Sequence, residues 1–221
     1  MITVHHLENS RSQRILWLLE ELGLEYEIVE YKRDPETASG PESLKKVHPL
    51  GKSPVITDGD LTVAESGAII EYLLDQYDTE KRLRPTDGKA LLDYRYWLHF
   101  AEGSLMPLLV MKLVMMKVPQ SPMPFFIKPI AKALTSKIQE KFIMPRINPQ
   151  MQFIEKTLGE HTWFVGEELS AADIQMSFPL QASSTRMNLS EFPNIARFIK
   201  QVEAVPAYQQ ALAKGGAFTT L

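Results

Sequence analysis

The hydrophobic pattern of this chain changes period once, near residue 80, and no other feature restricts the possible folds as strongly. Before that point strand-like and helix-like runs alternate, and after it only helical spacing is found. The run ITVHHL (2–7) is short and β-branched and predicts a strand. From Ser12 onward Ile15, Leu16, Leu18, Leu19 and Leu22 form a helical stripe that stops at Gly23, a residue suited to the left-handed position after a helix. Tyr26–Tyr31 reads as a second strand, and strand, helix and strand in such quick succession imply a right-handed parallel crossover. A short helix is expected over Glu42–Val47, and PVITDGDLTVAE (54–65) places Asp58-Gly59 between two strand-like runs, a hairpin signal. Ser66 stands as an N-cap before the amphipathic run Ala68, Ile69, Ile70, Leu73, Leu74 and Tyr77. The order is βαβ followed by ββα.

The stretch from Asp78 to Lys89 is charged and contains Pro85 and Asp87-Gly88, which reads as a linker. It divides a first domain (1–80) from a second (89–221), with the linker proper at 81–88. Leu91–Leu109, Ile130–Phe142, Met151–Leu158, Ala171–Leu180 and Ile195–Ala213 carry helical spacing, so the second domain is expected to be a helical bundle. The fold class is α/β plus all-α. In ELSAADI, Ser170 and Asp173 have the spacing of a capping box, and Leu169 and Ile174 that of a hydrophobic staple, so both polar residues are assigned a structural role.

Composition removes whole classes of function. A net charge of −3 and a pI near 6.0 give no reason to expect nucleic acid as the main partner. Cysteine is absent, so no disulfide, thiolate metal site or cysteine nucleophile is possible, and any thiol chemistry must use a thiol carried in by a ligand. His5 and His6 lie on opposite faces of the first strand, one expected to pack inward and the other to approach the site. They cannot easily chelate one metal, and no metal is expected. MITVHHLENS lacks the pattern of a signal peptide, and the apolar stretch Leu105–Val118 is interrupted by Lys112 and Lys117, so no spanning helix and a cytoplasmic location are expected.

Three places have residues fit for binding chemistry. The turn LENSRSQR (7–14) leads into a helix, where the N-terminal dipole and a hydroxyl donor both favour thiolate over thiol. Ser10 is the first candidate for that donor, with Asn9 and Ser12 beside it; an N-cap is the plainer role for either serine. In HPLGKSPVI (48–56) Lys52 offers a point charge for a carboxylate, and a cis bond before Pro54 would expose the Ser53 backbone to an extended peptide. Glu65 and Ser66 open a helix, a favourable place for a carboxylate, with Glu65 able to hold an adjacent ammonium; capping alone is the plainer alternative.

Taken together, SRSQRILWLLEELGLEYE, HPLGKSPVI, AESGAIIEYL, FVGEELSAADI and FPNIARFIKQVEAVPAYQQAL resemble, in order and spacing, the cytosolic glutathione S-transferase superfamily over nearly the whole chain. The resemblance implies a thioredoxin-like N-terminal domain, a helical C-terminal domain, a glutathione site mostly on the first domain and a homodimer. It places Ser10 at the thiol-activating position of the serine-type members, Lys52, Ser53, Pro54, Glu65 and Ser66 at glutathione-binding positions, and Pro54 at the cis-proline. His5-His6 stand where tyrosine-type members have their tyrosine. The implied activity is transfer of glutathione to an apolar electrophile; peroxide reduction by the same thiolate, or a non-catalytic glutathione-binding or assembly module, are the alternatives.

The segment 106–150 is unusual. It carries seven Lys or Arg against the single Glu140, formally +6, with six of the ten Met and seven of the fifteen Pro. Methionine fills irregular apolar space and prolines break helices into short pieces, so Met106, Met111, Met115 and Phe126 are expected to line an apolar co-substrate pocket. Core methionines with solvated lysines are the bland alternative, and contact with an anionic membrane surface is the least favoured reading.

Overall fold

A computed structural model describes residues 1–216. The first domain contains β1 (Ile2–Leu7), α1 (Ser12–Glu21), β2 (Tyr26–Tyr31), α2 (Glu42–Lys45), β3 (Val55–Asp58), β4 (Leu61–Ala64) and α3 (Ser66–Tyr77). The sheet order is β2-β1-β3-β4. β1 runs parallel to β2 with Ile2 opposite Tyr26, and β3 is antiparallel to both β1 and β4. Gly23 ends α1 at φ 64°, and Gly59 takes φ 57° in the tight turn that sets Asp58 opposite Leu61.

The second domain contains α4 (Gly88–Phe100), α5 (Met106–Lys117), α6 (Lys128–Ile138), α7 (Met144–Glu160), α8 (Ala171–Ser184), α9 (Pro193–Ala204) and α10 (Pro206–Gly215). Its last helical run departs from the sequence expectation. The connection between domains runs 78–87 and α4 begins at Gly88, and residues 217–221 of the second domain lie outside the described residues. The run 195–213 is two helices, because Pro206 cannot continue α9 and instead opens α10.

The prolines of 106–150 break the chain only in part: Pro119, Pro122 and Pro124 fall where α5 gives way to a short 3-10 turn and a loop before α6. Pro107 and Pro145 each follow a π-helical turn, Ala101–Leu105 and Gln139–Ile143, and sit in the first turn of the next α-helix, where a missing N–H does least harm. The helical run Gly88–Gln120 is therefore continuous, and by length and composition it could cross a bilayer, which the sequence reading had excluded. Its Trp97, Leu98, Leu105, Met106 and Leu109 are nevertheless part of the protein core, so lifting it out would dismantle the fold.

α1 is buried all round, from Ser12 to Leu19, which its one-sided stripe did not predict. The sheet and α3 cover one side, while α8 and α10 of the second domain cover the other. Each of Ile15, Leu16, Leu18 and Leu19 contributes about 2 kcal/mol by leaving water. Gly215 is required by the same packing, because a Cβ there would stand 2.3 Å from a Leu16 methyl. The expected capping box is formed: Asp173 accepts from the backbone N–H of Ser170 at 2.9 Å and from its hydroxyl at 2.8 Å, and also from the Phe164 N–H at 2.8 Å. Ile174 is buried and Leu169 packs against the core, as a staple requires.

Candidate functional site

Where the two domains meet, a cleft of about 210 Å³ is lined by Arg11, His48, Leu50, Lys52, Ser53, Pro54, Ala64, Glu65, Ser66 and Glu102. All five residues expected to hold the peptide are thus gathered around one cavity. The Ser53-Pro54 bond is cis. The Ser53 hydroxyl is turned inward, donating to the His5 carbonyl at 2.9 Å and accepting from the Leu7 N–H at 3.3 Å. β3 is paired on both sides, so it offers no free edge as a whole; the pairing starts at Val55, and only the backbone of Lys52–Pro54 lies outside the ladder.

Ser66 does not cap α3. Glu65 occupies the N-cap at φ 74° with no capping hydrogen bond from its side chain, while Ser66 is the first helical residue and is buried. The reason is Arg14, whose Nη2 donates to the Ser66 hydroxyl at 2.7 Å. A positive φ at a residue other than glycine is strained and is held here by the surrounding fold; the Glu65 carbonyl accepts from the Ile69 N–H at 2.9 Å.

Arg14 is the hub that the sequence reading missed. Its guanidinium, 2% exposed, also donates to the Gln175 carbonyl of α8 at 2.7 Å and to the Glu102 carboxylate. Arg11 Nε approaches both oxygens of Glu102 at 3.0 Å. Burial pushes the Glu102 carboxyl up, but Arg14 and Arg11 outweigh it and hold it below the ordinary value. Burial lowers Arg14, and Glu102 opposes that shift. Arg14 stands one turn from Leu18 on a helix buried all round, and a charge on such a surface demands partners; that is the signal that could have revealed it.

Ser10 and Asn9 do not line the cleft. The Ser10 hydroxyl is buried, 2.7 Å from the Ser12 hydroxyl and 3.4 Å from that of Ser53. Ser12 in turn lies 2.8 Å from His6 Nδ1. Asn9 adopts φ 50°, and its carbonyl accepts from Arg33 at 3.0 Å. His5 and His6 are both buried: His5 Nδ1 meets the Tyr31 hydroxyl at 3.0 Å, on the sheet, while His6 turns to the helix and reaches Ser10 through the Ser12 hydroxyl. Burial keeps both below 6.5, with the Gly215 carbonyl and the Glu30 charge pulling His6 the other way.

The four residues assigned to an apolar pocket sit in different surroundings. Met106 is core, Met115 is half-buried against the core, and Met111 and Phe126 are exposed, Phe126 to 62%. α5 is apolar on every side (MPLLVMKLVMMK), so burying the face that carries Met106 and Leu109 leaves others bare.

The family description "Glutathione S-transferase, N-terminal domain" matches residues 1–75, and "Glutathione S-transferase, C-terminal domain" matches residues 105–206. The chain is 37% identical to Glutathione S-transferase 1 of Saccharomyces cerevisiae, over 98% of this chain and 96% of that one. It is 38% identical to Glutathione S-transferase 3 of Schizosaccharomyces pombe, over 97% and 88%. The crystal structure of a glutathione S-transferase from Actinobacillus pleuropneumoniae, 39% identical, superposes with a TM-score of 0.80 over 100% of this chain and 95% of the other. Two domains of the expected kinds, the cleft between them and these likenesses along the full length agree: the chain belongs to the glutathione S-transferase family.

Proposed function

We propose that this chain binds glutathione in the cleft between Lys52 and Ser66 and adds its thiolate to an apolar electrophile. The observation that carries the reading is the gathering of Lys52, Ser53, Pro54, Glu65 and Ser66 around one cavity of about 210 Å³. The γ-glutamyl carboxylate meets the start of α3 and the Ser66 hydroxyl, whose proton is not needed by Arg14, itself a donor. Glu65 holds the neighbouring ammonium, Lys52 the glycine carboxylate, and the Ser53 backbone the peptide between them.

The thiol is then directed at the N-terminus of α1, where Ser10 is the proposed donor to the sulfur and Asn9 the alternative. The sulfur lone pair forms a carbon–sulfur bond as the leaving group departs, and a hydroxyl donor need not lose its own proton for that step. The electrophile enters from the side of Glu102, the contribution of the second domain to the cleft. Two copies are proposed to pair through α3 and α4, which flank an open groove of about 620 Å³ lined by Glu71, Asp75, Arg84 and Arg95.

Retention on immobilised glutathione, followed by conjugation to an aryl halide and, separately, reduction of an organic peroxide, tests the reading. Retention with conjugation is expected. Retention without either reaction would leave a binding module, and no retention would overturn the site.

A further inference from the structure

Away from the cleft, α5, α6 and the segment joining them present apolar side chains to solvent on a strongly basic background. Phe125 is 84% exposed, Ile130 66% and Leu134 59%, and Phe126, Ile127, Val110 and Val114 are also bare. Phe125 and Phe126 touch edge to face, 5.6 Å between centroids, at the end of the helical hairpin. On α6, Ile127, Ile130 and Leu134 recur at the spacing of one helix face, and the buried Thr135 lies on another. Lys117 shares the exposed face of Val110 and Val114 on α5, and Lys137 that of Ile130 and Leu134 on α6, while Lys128 and Lys132 lie on another side of α6; all belong to a segment of formal charge +6 in a chain of net charge −3.

Contiguous exposed apolar surface on a soluble fold marks a binding face, and the charge decides what it binds. A second copy is disfavoured: a two-fold contact would set the same lysines against one another. The acidic remainder of the chain would also repel a negatively charged surface unless this end approached first, which fixes an orientation. Lysines with apolar neighbours can lay their stems along the apolar layer while their ammonium groups meet phosphates. The helix Gly88–Gln120 stays in the core through Leu105 and Leu109, so contact is along the surface and not across the bilayer.

We propose that the α5–α6 hairpin is a docking surface for anionic lipid membranes, with Phe125, Phe126 and Ile130 entering the interface and Lys117 and Lys137 pairing with headgroup phosphates. The inference is independent of the transferase reading and would stand if that failed.

Flotation of the full chain with vesicles of phosphatidylcholine alone, and of phosphatidylcholine with phosphatidylglycerol, tests it. Binding is expected on the anionic vesicles at low salt, with release as salt is raised. Each lysine charge removed should lower the partition roughly fivefold, so Lys117→Glu/Lys137→Glu abolishes binding and Phe125→Ser/Ile130→Ser weakens it, whereas Lys200→Glu on α9 leaves it unchanged. Unaltered melting temperatures in these exposed variants separate lost docking from lost folding. Equal partition onto neutral and anionic vesicles, or none onto either, would overturn the proposal. So would a fall in particle mass by light scattering in the hairpin variants, which would show that a second copy covers this face.

Discussion

Arg14 and Ser66 meet across the floor of the cleft, the guanidinium donating to the hydroxyl at 2.7 Å, and that contact couples the site to the joint between the domains. Arg14 reaches Glu102 and the Gln175 carbonyl of the second domain with the same group. Arg14→Met should therefore cost about 3–5 kcal/mol in chemical unfolding, because it leaves Glu102 poorly compensated. Arg14→Lys should rescue little, since an ammonium cannot fork toward three acceptors. A full-strength Arg14→Lys variant would mean that charge alone suffices there.

Glu65→Ala and Ser66→Ala should each weaken glutathione binding by about 1.5–3 kcal/mol, the worth of a charge-assisted hydrogen bond. Calorimetric titration reads this directly. Unchanged affinity in both variants would remove the γ-glutamyl end from α3.

The hydroxyls of Ser10 and Ser12 form a chain that ends on His6. If Ser10 donates to the bound sulfur, Ser10→Ala slows conjugation and moves its pH profile upward, each unit of thiol pKa standing for about 1.36 kcal/mol. Ser12→Ala frees Ser10 from its neighbour and should move the profile by less. A shift produced by Asn9→Ala, with Ser10→Ala silent, would give the role to Asn9.

Burial pushes the Asp173 carboxyl up to about 6, although three donated hydrogen bonds pull it down. Between 3.8 and about 6 the folded chain binds more protons there than the unfolded one, so this residue's contribution to stability falls as pH rises through that window. Asp173→Asn should cost about 2 kcal/mol at low pH, and urea unfolding across that window should show the gap to the parent protein narrowing as pH rises. A constant gap would mean that Asp173 is ionised throughout.

Light scattering at micromolar concentration should give the mass of two chains, and Arg84→Glu, which loses its pairs to Glu71 and Asp75 beside the α3–α4 groove, should shift it toward one. A single-chain mass for the parent protein would exclude the paired form.

The βαβ-ββα order, the hairpin and the capping box were legible because each is written in neighbouring residues: Gly23, Asp58-Gly59 and Ser170 with Asp173. The grouping of one side of the cleft was legible for the same reason, since Lys52–Pro54 and Glu65-Ser66 are short local motifs and line one cavity. What escaped was non-local. Arg14 meets Glu102 and Gln175 from far along the chain, and nothing near it in sequence names those partners. Met106 and Phe126 share a composition but not an environment, because periodicity shows how apolar a helix is and not which of its sides another element will cover.

The wide turn at Ala101–Leu105 sets the phase of everything beyond it. Because it winds with more residues per turn than the α-helix on either side, it rotates α5 relative to α4 while the axis runs on. Glu102 lies inside this turn, facing Arg11 and Arg14. Ordinary winding imposed here with every residue kept would swing the downstream half by about 100°. The clamp and the orientation of the basic, apolar hairpin would then be lost together, so one local irregularity keeps the inside and the outside of this domain in register.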